Sequence, residues 1–353
     1  MRHMRVDEVR GLACILVVVF HAVGSDPALA NTAIAYLMQS FVFVRMPLFI
    51  AITGYLYGRQ RGHRPLTPRG WARRTGRLAP PFLLASLICC AIDQVAGRGF
   101  HLGDALSFGA WHLWYLQALA MLLMIACLLD MTGRIENRHL WIVAGTALCV
   151  SASGLFADIR LFSIGRAIVL LPFFYTGAAI AAGGISRPHR NAIYAAGAAG
   201  MLLHLLSLAG MAPIWATSSL VAGAVGIAGF VAIGSMMPSS TLFRRLGAYS
   251  LPIYLWHLPA SALLSAVVLN LIDAGPYAGL VLRVAVGVTA PTALCIVTQR
   301  VMPSMLVVVG RHSADRSPDV VTVAATTRPR PALAAGFGFD QGQGMTGELA
   351  RAA

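Results

Sequence analysis

"VDEVRGLACILVVVFHAVG", residues 6–24, is an apolar run long enough to cross a bilayer, yet it holds an arginine near its start and a histidine deep inside. A helix needs about 20 largely apolar residues to span the hydrocarbon, and the rest of the chain repeats that length. Reading outward from this run gives apolar stretches over 9–26, 38–57, 79–96, 111–130, 139–156, 162–183, 191–210, 213–236, 249–271 and 277–299. Composition agrees: of 353 residues, 58% are hydrophobic and 11% charged, with a mean hydropathy of +0.72, which excludes an ordinary soluble globule. The expected fold is an all-α, polytopic transmembrane helix bundle of about ten spans.

The charges test that count. All 27 basic residues are arginines. With the N-terminus inside, Arg2, Arg5 and Arg10 lie at the inner end, and the second inner loop holds Arg59, Arg61, Arg64, Arg69, Arg73, Arg74 and Arg77. Later inner breaks hold Arg134, Arg138, Arg187, Arg190, Arg244 and Arg245, whereas the outer breaks show Arg98 and Arg160. This positive-inside bias predicts both termini in the cytoplasm. The net charge of +14 is therefore a topology signal, with attraction to anionic headgroups as a by-product. Nucleic acid is not expected as a partner, because the arginines are scattered among apolar helices without a basic, aromatic-bearing module.

A cleaved signal peptide is disfavoured. "ALA" at 28–30 resembles a cleavage site, but Asp7 and Glu8 interrupt the basic start and His21 the apolar run. The six cysteines fall inside apolar spans without ligand-like spacing, so they read as small core residues, with no disulfide framework and no metal site. From residue 303 the composition turns to Ala, Gly, Pro, Thr and Arg, which gives a transmembrane domain over 1–302 and a disordered cytoplasmic tail over 303–353. No Gly-rich nucleotide loop or fixed-period repeat is evident.

The polar residues within the spans carry the functional argument. At 100° per residue, Arg10 and His21 stand about 20° apart around the first helix, with Asp7 within about 60° of Arg10 on the same side. His21 lies about 16 Å above Arg10, past the bilayer midplane. Ionisable groups at that depth are costly and usually face a bundle interior or a wet cavity. The plainer readings are a packing histidine bonded to a carbonyl and an arginine snorkelling to headgroups. Further residues tilt the balance: Arg45 in "FVFVRMPLF", His112 and Trp114 in "WHLWYLQAL", Arg166 and Arg283 all fall in the outer half, as candidate substrate-binding groups. Tryptophans at this level also form ordinary interfacial belts.

The inner side differs in kind. Seven arginines crowd "GRQRGHRPLTPRGWARRTGRLAPP" before a Pro-Pro that is expected to start the next span. Orientation explains some of them; an anionic, phosphate-bearing ligand explains the excess, since guanidinium grips phosphate bidentately. Together these suggest a reaction across the membrane. Coenzyme A fits the donor, with its phosphates on the arginines and its pantetheine arm carrying a thioester up to His21, which would deprotonate an acceptor hydroxyl.

The sequence resembles the acyltransferase-3 family of bacterial integral-membrane O-acyltransferases over nearly all of its membrane part. The resemblance rests on "VDEVRGLACILVVVFH", "RMPLFIAITGYLYG", "RRTGRLAPPF", "WHLWYLQAL" and "LGAYSLPIYLWHLP", in that order. It implies transfer of an acyl group, often acetyl, from cytoplasmic acyl-CoA to a hydroxyl of an extracytoplasmic or lipid-linked saccharide, in a bacterial cytoplasmic membrane. His21 matches the family's catalytic histidine, Arg10 its first-helix arginine, and Arg74 with Arg77 its Arg-x-x-Arg pair, beside which Arg73 is a further candidate. His257 matches a recurrent histidine and is expected to line the donor channel or cap a neighbouring carbonyl. Thr53 replaces the usual serine before Gly54, and Arg45 stands where a sugar-acetylating subgroup has a histidine. His204, without a motif, reads as a core histidine.

Within the enzyme class the alternative is acylation of a small secondary metabolite or glycolipid. A transporter or flippase would share the span count and the buried arginines, but would be favoured by paired, Gly/Pro-broken helices in two related halves, which the sequence does not display.

Overall fold

Apolar runs bounded by hydroxyl caps and glycines dictate helices, and helices are what form. The structure, a computed structural model, describes residues 4–62, 64–211, 219–269, 272 and 274–311, which belong to one compact unit. Of these residues 82% are helical and none is in a strand. The helices are α1 (Val6–Gly24), α2 (Ala33–Ser40), α3 (Val42–Arg61), α4 (Pro68–Val95), the single turn α5 (Leu102–Asp104), α6 (Trp114–Met131) and α7 (Leu140–Ala152). They continue as α8 (Ile164–Gly183), α9 (Arg187–Leu208), α10 (Ser219–Met236), α11 (Thr241–Ala248), α12 (Ser250–Leu264), α13 (Gly275–Val301) and α14 (Leu306–Val309). The chain is an all-α, multi-pass membrane bundle: among the described residues, seven helical stretches are long and apolar enough to cross a membrane. Each expected span has a helix, but α1 carries Asp7, Glu8 and Arg10 in its first turns, and α7 has 13 residues.

Three boundaries differ from expectation. The second apolar stretch is preceded by a separate α2, broken from α3 at Phe41. The helix expected to start near 79 starts eleven residues earlier, because Thr67 accepts a hydrogen bond from the Gly70 amide and Pro68 occupies the first turn, where its missing N–H costs nothing. Pro80 and Pro81 therefore lie inside α4, and Arg69, Arg73, Arg74 and Arg77 sit on a helix instead of a loop. Packed helix also continues past 302: Leu306 and Val309 of α14 are buried in the main core, and the Trp256 indole N–H donates to the Val309 carbonyl at 3.2 Å. Residues 312–353 lie outside the described residues.

Close helix approach, made possible by missing side chains, sets the geometry. α3 and α8 pack through Gly54 and Gly58, spaced four apart, facing Gly177: a Cβ at Gly54 would collide with the Phe174 carbonyl, and one at Gly177 with the Ala51 carbonyl. Small residues at this spacing let helix backbones meet in membranes, where burial of apolar surface gives little drive. α11 lies against the start of α1 in the same manner, with Gly247 under the Asp7 carbonyl. Five of the six cysteines are buried, and Cys149 of α7 is exposed. His204 is buried as well, against Phe43 and bonded to the Gln39 carbonyl at 3.2 Å.

Candidate active site

Histidines from three distant parts of the chain meet inside the bundle. The His21 ring centroid lies 5.3 Å from that of His257 on α12 and 6.0 Å from that of His112, and the His112 and His257 centroids are 4.7 Å apart. The turn before α6 brings His112 there. Trp111 adopts a left-handed φ of 47°, held by its indole N–H donating to Asp93 Oδ2 at 3.0 Å, and the chain then turns His112 inward to 1% exposure. His112 Nε2 bonds the Tyr254 carbonyl at 2.6 Å, and the Tyr254 hydroxyl donates back to the His112 carbonyl. His257 Nδ1 bonds the carbonyls of Ile253 and Tyr254 at 3.0 and 2.9 Å. His112, expected at the outer end of its span among acceptor groups, and His257, expected to line a donor channel or cap a neighbouring carbonyl, both sit against His21, and His257 does bond neighbouring carbonyls. Among the described residues no three His, Cys, Asp or Glu side chains are grouped to hold a metal ion.

Down the same face of α1, Arg10 pairs with Asp7 at 3.8 Å, the spacing expected for residues three apart on a helix. Arg45 is buried, with its guanidinium carbon 3.2 Å from the centroid of the Phe20 ring and no hydrogen-bond partner for Nη1. A cation on an aromatic face in a dry setting is held by the ring quadrupole. Arg45 is thereby fixed beside the residue that precedes His21.

Two other candidate arginines have partners within the bundle. The Arg166 guanidinium lies 4.6 Å from the Trp114 ring centroid, so these two candidates form one contact. Arg283 bonds Asp26 Oδ2 at 3.0 Å and Ser265 Oγ at 3.3 Å, with both charged side chains largely buried. A cleft of about 1080 Å³ opens beside them between α4, α12 and α13. Ser25 and Ser261 line it, each four residues after one of the histidines, together with Trp256 and Leu258 on either side of His257. Pro259 and Pro291 face it from α12 and α13.

At the arginine-rich end, Arg73 and Arg77 are exposed one turn apart on α4, and half-buried Arg74 donates to Gln60 Oε1. Arg61 is not free for a ligand. Its Nε lies 2.6 Å from Asp130 Oδ1, and the same carboxylate accepts from the Tyr57 hydroxyl at 2.9 Å and the Leu66 amide at 2.7 Å. Arg61 also reaches Asn137 Oδ1 and the Ile135 carbonyl. This knot ties the end of α3 to the end of α6 and the loop leading to α4. Asp130, Tyr57, Asp26, Asp93 and Tyr254 were not singled out from sequence; an acid closing an apolar run, as in "CLLDM", was the available signal for Asp130.

The sequence model of one family, described as an acyltransferase domain, matches residues 5–300, from before α1 to the end of α13. No curated protein and no solved structure matches the chain.

Proposed function

Because the chain belongs to the acyltransferase-3 family, and is therefore a multi-pass membrane acyltransferase, we propose that its donor is cytoplasmic acyl-CoA, acetyl-CoA in particular. The acceptor is a hydroxyl of an extracytoplasmic or lipid-linked saccharide, at a bacterial cytoplasmic membrane. The observation that carries this reading is His21 in the last turn of α1, packed against His112 and His257 and four residues before Ser25 of the cleft wall.

The chemistry follows from that placement. Arg73, Arg74 and Arg77 hold the CoA phosphates, which need no deeper entry than the first turns of α4. The pantetheine arm brings the thioester up along the Arg10 face of α1. An acceptor hydroxyl reaching His21 from the cleft gives up its proton to the imidazole as its oxygen attacks the thioester carbonyl. The C–S bond then breaks, and the departing CoA thiolate reclaims the proton from His21. Arg45, held on Phe20, supplies a fixed positive charge near the developing oxyanion.

The test is release of CoA thiol from acetyl-CoA by purified protein in lipid. His21→Ala is expected to abolish turnover and keep CoA binding, and Arg74→Ala with Arg77→Ala to lose binding. A wild-type protein that neither binds nor turns over any acyl-CoA would sink the donor assignment.

A further inference from the structure

The two buried histidines beside His21 are fixed in a single tautomer each. A carbonyl oxygen only accepts, so the nitrogens that bond the Ile253 and Tyr254 carbonyls must carry the protons: Nε2 on His112 and Nδ1 on His257. The remaining nitrogens, Nδ1 of His112 and Nε2 of His257, are then lone-pair acceptors. Both are buried and neither has a hydrogen-bond partner among the described residues. Each ring is 1% exposed. A buried acceptor left unmet costs free energy, and two of them on rings whose centroids are 4.7 Å apart, both beside His21, indicate that a hydrogen bond is to be received there.

His21 is the group able to give it. Its ring is half-buried, makes ring contacts with both neighbours, and is the one member of the three with no carbonyl fixing its tautomer. A general base needs its free nitrogen aimed at the substrate, and that requires its N–H to be taken by a partner on the far side, as a buried carboxylate does for the histidine of a Ser-His-Asp triad. Among the described residues no carboxylate bonds His21. Asp7 lies fourteen residues before it on α1 and pairs with Arg10, and Asp26 pairs with Arg283.

We infer that His257 is the positioning residue for His21. Its Nε2 lone pair accepts the His21 N–H, which fixes the tautomer whose other nitrogen is the base, and His112 holds the His257 ring edge in place. This rests on the proposed role of His21. A rotation of the half-buried His21 ring closes the contact. When His21 takes the hydroxyl proton, the imidazolium keeps its hydrogen bond to His257, and the same proton leaves with the CoA thiolate. No further reactant is needed.

The test compares His257→Phe, which keeps the ring volume and removes both nitrogens, with His257→Gln, which restores an acceptor near the Nε2 position. Two readouts are taken in lipid, with protein confirmed folded by thermal unfolding. One is kcat and KM for CoA-thiol release from acetyl-CoA, with water as acceptor. The other is the rate at which diethyl pyrocarbonate labels His21 at neutral pH, followed by peptide mass spectrometry, which needs no turnover. The expected result for Phe is a kcat at least about tenfold lower at unchanged KM, and His21 labelling slowed several-fold, with Gln restoring most of both. Equal labelling in all three proteins overturns the inference. So does a raised KM with kcat retained, which would place His257 in the donor site, or a folded Gln variant no better than Phe. If His21→Ala still releases CoA thiol while the labelling pattern holds, the base assignment fails and the orienting contact stands.

Discussion

Arg61 Nε lies 2.6 Å from Asp130 Oδ1, with the two side chains 9% and 1% exposed, so that a charge at the end of α3 is cancelled by one at the end of α6. Tyr57 and the Leu66 amide complete the carboxylate's hydrogen bonds. Removing one partner of such a pair strands the other in a poorly hydrated place, at a cost of about 3–5 kcal/mol. Asp130→Ala is therefore expected to lower the thermal unfolding midpoint sharply, and the double change Asp130→Ala with Arg61→Met to recover part of the loss. A midpoint unchanged in Asp130→Ala would show that the pair holds nothing.

Arg73 and Arg77 contrast with Arg61, because both are exposed and bond no residue of the bundle in the described structure. A charge-assisted hydrogen bond to phosphate is worth about 1.5–3 kcal/mol, so Arg77→Gln should raise KM for acetyl-CoA about tenfold and leave the unfolding midpoint in place. Arg61→Gln should do the reverse, losing stability first. Equal stability losses in the two variants would contradict the division between ligand-binding and structural arginines.

Asp26 and Arg283 join the turn after α1 to α13. Residues in direct contact couple by about 0.5–3 kcal/mol. In a double-mutant cycle with Asp26→Asn and Arg283→Gln, the pair should cost about as much as either single change. Strict additivity would mean that Arg283 acts on something other than Asp26, which would return it to the substrate.

Gly54 has the Phe174 carbonyl where its Cβ would be. Gly54→Ala forces α3 and α8 apart and should cost about 1–3 kcal/mol by overpacking, read as a lower unfolding midpoint. Thr53→Ser, one residue earlier, removes a methyl group from a side chain whose hydroxyl donates to the Phe49 carbonyl, a bond that serine also makes, and should leave the midpoint near wild type. If Gly54→Ala is as stable as Thr53→Ser, the helix contact is looser than its geometry.

The helices were legible because a membrane allows few alternatives: backbone polar groups must be satisfied within each segment, so an apolar run of the right length becomes a helix. The stripe joining Asp7, Arg10 and His21 was legible too, since helical period alone places residues on one face. Periodicity is silent about which faces meet. That is why His112 and His257 were assigned different roles, and why Asp26, the last residue of the first expected span and just past the end of α1, was not matched to Arg283 across more than 250 residues of chain. The start of α4 shows a different failure. Thr67-Pro68 announces a helix start, but the arginines that follow lowered the hydropathy and the span was begun at the next apolar residues.

The return of the chain after α13 has a practical consequence. Segments that trail a final membrane helix are the usual place to cut or to attach a reporter, since they look expendable. Here Val309 meets the indole of Trp256, the immediate neighbour of His257, and Arg311 stacks 4.5 Å from the ring centroid of Tyr249 just before α12 begins. Residues 303–311 work as a wedge behind the helix that carries the histidine. Cutting at 302 withdraws that wedge, whereas a fusion joined beyond 311 leaves it seated, so the two designs should yield proteins of different activity from nearly the same length of chain.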